Sequence, residues 1–132
     1  MPIMEWQETY RINIELLDDH HQHLVELLNS TYDNFVKGLP AEDVATVLNA
    51  LLDYADYHFK AEEQWMLANN YPFLDKHASE HNGFEAKVAE MQRNYGEGKE
   101  TILGILTFLV DWLSEHILIT DADLGRFSRL KI

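Results

Sequence analysis

Residues 57–81, YHFKAEEQWMLANNYPFLDKHASEH, decide how this chain reads. His58 and Glu62 stand four residues apart, a turn is marked by Asn69, Asn70 and Pro72, and His77 and His81 again stand four apart. On an α-helix, residues i and i+4 lie on one face about 6 Å apart along the axis, so each pair can aim two side chains at one point. Two such pairs joined by a short turn make a helical hairpin with four metal-capable groups near its tip.

Apolar residues recur at steps of three and four on both sides of the hairpin, which is the helical period. Before it, a helix is expected from about Ile14, with Asn13 as candidate N-cap, Glu15 in the first turn, and Leu17, His21, Leu24, Leu28 and Phe35 facing inward. Lys37-Gly38-Leu39-Pro40 ends it. The second helix, about 41–69, carries Val44, Val47, Leu48, Leu51, Ala55, His58, Glu62 and Met66 inward. The third carries His77, His81, Phe84, Val88, Met91 and Tyr95 until Gly96-Glu97-Gly98 breaks it, and the fourth carries Ile102, Ile105, Leu109, Trp112, Leu113 and His116 and ends near Asp121. Met1 to Ile12 lacks helical periodicity and reads as an extended arm pinned by Trp6, Tyr10 and Ile12. Residues 122–132 read as a tail.

Four comparable helices with short connections imply antiparallel neighbours, so the expected fold is all-α, an antiparallel up-down-up-down four-helix bundle with an extended N-terminal arm, one domain over 1–132. That topology has a consequence for the polar residues. The start of helix one, the end of two, the start of three and the end of four share one end of the bundle, so His21, His58, Glu62, His77, His81 and His116 fall in one layer. A polar residue on an apolar face costs free energy unless it finds partners, and unrelated accidents would scatter along the bundle. Their clustering points to a shared ion.

Composition narrows the chemistry. The 132 residues contain no cysteine, which excludes disulfides, zinc–thiolate sites and thiol catalysis. A formal charge of -13 argues against a phosphate backbone as partner, so no nucleic acid is expected. No basic, apolar leader opens the chain and no run reads as a membrane span, so a cytoplasmic location is expected. Five imidazoles with one or two carboxylates suit iron, manganese or zinc, and so many donors suit two bridged ions better than one. Asp121 supplies a second bridge only if the helix widens, because i to i+5 on a regular α-helix turns it about 140° from His116. A local π-like turn between His116 and Asp121 is therefore predicted.

The chain resembles a single-domain bacterial hemerythrin over nearly its whole length. The resemblance rests on Asp18-x-x-His21, His58-Phe59-x-x-Glu62-Glu63, Tyr71-Pro72 followed by His77-x-x-x-His81 and Phe84, and Trp112-Leu113-x-x-His116-Ile117 followed by Asp121. It implies two iron ions (Fe2+/Fe3+) that bind dioxygen reversibly, for storage, delivery or sensing. One ion would be held by His77, His81 and His116 and the other by His21 and His58, with Glu62, Asp121 and an oxo or hydroxo group between them. The two-histidine ion would be the one open to oxygen. Leu24, Phe59, Trp112, Leu113 and Ile117 match apolar pocket positions of the family.

Binding is expected rather than turnover, because no general acid or substrate-sized cleft is evident. The alternative is a di-iron enzyme acting as oxidase or as peroxide or nitric oxide scavenger; ferroxidase chemistry fits less well, since ferritin-like sites use Glu-x-x-His pairs and more carboxylates. The family commonly has glutamine or glutamate just before the helix-one ligand, where this chain has His20. Leu17, Leu24 and Leu28 put His21 on the inward stripe and His20 about 100° off it, so His21 is taken as the ligand, with His20 and His23 at the surface. Asp18 either steadies the first turn or supports a ligand. Glu63 reads as solvated, and Trp65 and Met66 as core.

Overall fold

A computed structural model describes residues 3–96, 98 and 101–130. Met1 and Pro2 of the arm, Glu97 of the third break and the last two residues of the tail lie outside the described residues. The chain forms α1 (Glu15–Val36), α2 (Ala41–Ala68), α3 (Leu74–Gly96), α4 (Ile102–Glu115), a π-helical turn (His116–Asp121) and α5 (Ala122–Leu130). Together they make the expected antiparallel four-helix bundle, with α4, the π turn and α5 running on as one rod. Gly38 ends α1 in a left-handed conformation (φ 72°), which carries no Cβ penalty for glycine, and Pro40 occupies the N-cap of α2. Thr101 caps α4, its hydroxyl accepting from the Gly104 N–H at 2.9 Å.

Four expectations about the elements need correction. The N-cap of α1 is Ile14, and Asn13 instead takes a left-handed turn at φ 64°. The buried Asp18 explains this: its Oδ1 accepts from Ile12 N–H at 2.7 Å and its Oδ2 from Asn13 N–H at 3.1 Å, so the carboxylate anchors the arm from inside the first turn. The arm is extended apart from a 3₁₀ turn at Glu8–Tyr10, and Tyr10 and Ile12 are buried while Trp6 is half-buried. Phe35 and Tyr95, both in the last turns of their helices, are 38% and 36% exposed and drop out of the core. Finally, the fourth helix does not end at Asp121: α5 carries it to Leu130, with Leu124 fully buried.

The rod Ile102–Leu130 is long and apolar enough to cross a membrane by length and composition. Its inward face, however, is built into the bundle, where Ile105, Leu106, Leu109, Leu113, Ile117 and Leu124 are buried beside His116 and Asp121. The core divides in two. A large cluster includes Leu24, Leu28, Ala55, Phe59, Phe84, Leu113 and Ile117. A smaller one unites Ile12, Ile14, Leu17, Met66, Tyr71 and Leu124. On α1 His21 lies between Leu17 and Leu24, on α2 Glu62 lies between Phe59 and Met66, and on the rod Asp121 lies between Ile117 and Leu124. The polar layer is thus closed by apolar side chains on both sides.

Candidate metal centre

All seven residues singled out by spacing meet in that layer, and each is at most 3% exposed. Their donor atoms form two sets within 4.8 Å: Glu62 with His77, His81 and His116, and Glu62 with His21, His58 and Asp121. The helices explain the arrangement. His58 and Glu62 stack on α2, His77 and His81 on α3, His21 enters from α1, and His116 and Asp121 come from the rod. The π turn spans His116–Asp121, as the i to i+5 spacing requires, and wider winding brings Asp121 back to the His116 face.

The two carboxylates are placed alike. Glu62 turns Oε1 toward His77 (2.6 Å) and His81 (3.0 Å), and Oε2 toward His58 (3.3 Å) and, more distantly, His21 (3.8 Å). Asp121 turns Oδ1 toward His77 (3.0 Å) and His116 (3.2 Å), and Oδ2 toward His21 (3.0 Å). Each acid therefore offers one oxygen to the three-histidine set and the other to the two-histidine set.

Electrostatics make the layer a tightly coupled charge cluster. Burial alone would push the His21 and His77 imidazoles down, but the adjacent Asp121 and Glu62 carboxylates outweigh it and lift both to about 9. His116 rises well above its ordinary value against the same burial, chiefly through the charge of Asp121. Burial would raise Glu62 and Asp121, yet the histidines around them hold both carboxyls below their usual range. His58 goes the other way, lowered mainly by burial.

The donor set fits a metal. His21 Nε2, Glu62 Oε2 and both Asp121 oxygens are buried without a well-directed hydrogen bond, and an unpaired buried polar atom costs about 1–3 kcal/mol. His81 Nε2 and His116 Nε2 approach to 3.1 Å, two like atoms converging as ligands do. A cation in each donor set would meet the lone pairs of that set, and nitrogen and oxygen donors without thiolate suit a mid-row transition metal.

The outer contacts were only partly foreseen. His20, expected at the surface, is 5% exposed and its Nδ1 lies 3.0 Å from His58 Nδ1. Glu63, expected to be solvated, has a side chain 35% exposed and accepts from His81 Nδ1 at 2.8 Å. Glu80, which drew no attention in the sequence, accepts from His116 Nδ1 at 3.1 Å and from the Thr120 hydroxyl at 2.8 Å. Its position three residues after His77 and one before His81 was the only available signal. His23 is exposed as expected, Asp18 serves the arm rather than a ligand, and Met66 is core with Trp65 partly buried against it. Phe59 stacks on His81 at 4.0 Å and Trp112 on His116 at 4.4 Å, while Leu24, Leu113 and Ile117 belong to the same large cluster as Phe59.

Comparison with known proteins agrees with this geometry. The family model described as the hemerythrin HHE cation binding domain matches residues 13–127. A bacteriohemerythrin of Stenotrophomonas maltophilia (strain R551-3) is 30% identical over 117 residues, which cover 89% of this chain and 76% of that one. A bacteriohemerythrin of Methylococcus capsulatus is 30% identical over 119 residues, covering 89% and 90%. The crystal structure of a wild-type hemerythrin superposes with a TM-score of 0.85 at 28% identity, covering 94% of this chain and 96% of that chain. A mutant hemerythrin superposes at 0.86, covering 96% and 97%. With bundle, donor layer and family model coinciding over most of its length, this chain belongs to the hemerythrin family.

Proposed function

We propose that this protein holds two iron ions and binds dioxygen reversibly. The observation that carries the reading is the placement of Glu62 and Asp121, each with one oxygen toward either histidine set, since two shared carboxylates between unequal histidine groups suit a pair of ions. His77, His81 and His116 would hold one iron, and His21 and His58 the other. Bound there, the iron pair would supply both the electrons and the open coordination position that dioxygen needs.

The chain's own residues set the conditions. With two protein nitrogens against three, the His21–His58 side is the one left short of donors. Leu24, Phe59, Leu113 and Ile117 are 1–3% exposed and keep water from the layer, which disfavours release of charged, reduced oxygen species. Trp112 and Phe59 lie flat on the His116 and His81 rings and hold their planes. The His21, His77 and His116 protons must leave for their lone pairs to bind metal.

This packing supports binding over turnover. Cavities of about 210 and 360 Å³ lie against His77 and His116, bordered by Glu80, Ile119 and Thr120, whereas Leu24, Phe59, Leu113 and Ile117 are buried in the core. Metal analysis and anaerobic reduction test the reading. Two irons per chain, with a charge-transfer absorbance gained on oxygen exposure, is the expected result. A single zinc and no iron would overturn it.

A further inference from the structure

His58 differs from the other outward-bonded ligands in what holds its far nitrogen. His81 Nδ1 faces the Glu63 carboxylate and His116 Nδ1 the Glu80 carboxylate, but His58 Nδ1 faces another imidazole, His20, at 3.0 Å. The tautomers follow from position. His58 turns Nε2 inward, 3.3 Å from Glu62 Oε2, so that nitrogen must carry the lone pair if it is to ligate. Its proton then sits on Nδ1 and is donated outward, and His20 Nδ1 can only accept it, which places the His20 proton on Nε2.

We propose that His20 is a positioning residue for the two-histidine metal position, fixing the tautomer and ring plane of His58 as a neutral acceptor and so making that position the weaker and more labile of the two. The inference rests on the proposed metal pair. A carboxylate acceptor draws the imidazole proton toward itself and makes the ring a stronger donor, and a neutral imidazole does so less. The three-histidine position has two such carboxylates among its outer contacts, Glu63 and Glu80, and the His21–His58 position has none among the described residues. His21 Nδ1 is itself buried without a hydrogen-bond partner, so His20 is the one outer brace of this position among the described residues. Metal should therefore load the three-histidine position first and leave it last. The ring of His20 is held edge-on to Tyr54 (5.6 Å between centroids) and tilted against Tyr57 (5.3 Å), which keeps it aimed at His58.

Anaerobic titration of the metal-free protein with Fe2+ tests this, alongside His20→Phe, His20→Ala, His20→Gln and His20→Glu. Phenylalanine keeps the ring contacts but cannot accept. His20→Phe and His20→Ala should both weaken the second binding step about 10–100-fold and leave the first unchanged; His20→Gln, whose amide oxygen accepts, should restore it, and His20→Glu should tighten it beyond wild type. Long-range proton–nitrogen correlation spectra of the Zn2+-loaded protein should place the His20 proton on Nε2. An unchanged second step in His20→Phe, equal weakening of both steps, or a His20 proton on Nδ1 would overturn the inference while leaving the metal pair intact. Failure of the wild type to take up two ions would overturn both.

Discussion

Burial favours the neutral form of an imidazole, and in the metal-free protein His58 follows that rule while His21 and His77 defy it, lifted to about 9 by Asp121 and Glu62. A folded value raised above the ordinary 6.5 means the folded state holds the proton more tightly, so the stabilisation is complete below about 6.5 and disappears as pH rises through about 9. The metal-free protein should therefore lose stability between pH 6.5 and 9 in urea unfolding, while iron affinity rises over the same window because the same protons must leave. Parallel trends would contradict this assignment. His58→Ala should reduce iron from two per chain to one by emptying the two-histidine position; retention of a normal two-iron spectrum would contradict its role. At this scale i to i+4 spacing placed His58, Glu62, His77 and His81 on shared faces, the apolar stripes placed His21 and His116, and Asp121 faced inward only by way of the π turn. The sequence concealed His20, since α1 packs against both α2 and α4 and its buried arc is wider than a single stripe. Glu63 and Glu80 were hidden for a related reason: half-exposed acids look solvated until a neighbouring helix brings an imidazole to them.

Among the elements, the arm and the rod are linked more closely than periodicity suggests. A Cβ on Gly125 would lie 2.8 Å from the Ile12 carbonyl oxygen and 2.9 Å from Ile12 Cβ, so glycine is what lets the arm cross α5. Gly125→Ala should destabilise the fold by about 1–3 kcal/mol in chemical denaturation, as overpacking does. Asp18→Ala leaves the buried Ile12 N–H and the part-buried Asn13 N–H without this acceptor and should cost about 1–3 kcal/mol, with two metals still bound because the Asp18 carboxylate bonds the arm. Loss of metal in Asp18→Ala at full helicity would contradict the separation of arm from site. The π turn was legible because His116 and Asp121 both needed to face inward. The extension to Leu130 was not, because a nine-residue amphipathic segment rich in charge looks like a tail until the arm is there to cover Leu124 and Gly125.

For the whole molecule, bundle topology and site are one fact. Up-down-up-down connection puts the start of α1, the end of α2, the start of α3 and the end of α4 at one level, and the buried histidines lie there between two apolar clusters. Such a layer would be a heavy penalty without an ion, which is why the fold could be argued from the polar residues as readily as from the apolar ones. What function the layer performs is tested most directly by cycling oxygen over the anaerobically iron-loaded, reduced protein and following its charge-transfer absorbance. Two irons per chain are expected, with an absorbance that appears under oxygen, vanishes when oxygen is removed, and returns through repeated cycles. An absorbance that appears once and persists, with reduced oxygen species released on the first exposure, would contradict reversible binding and point to oxidase chemistry.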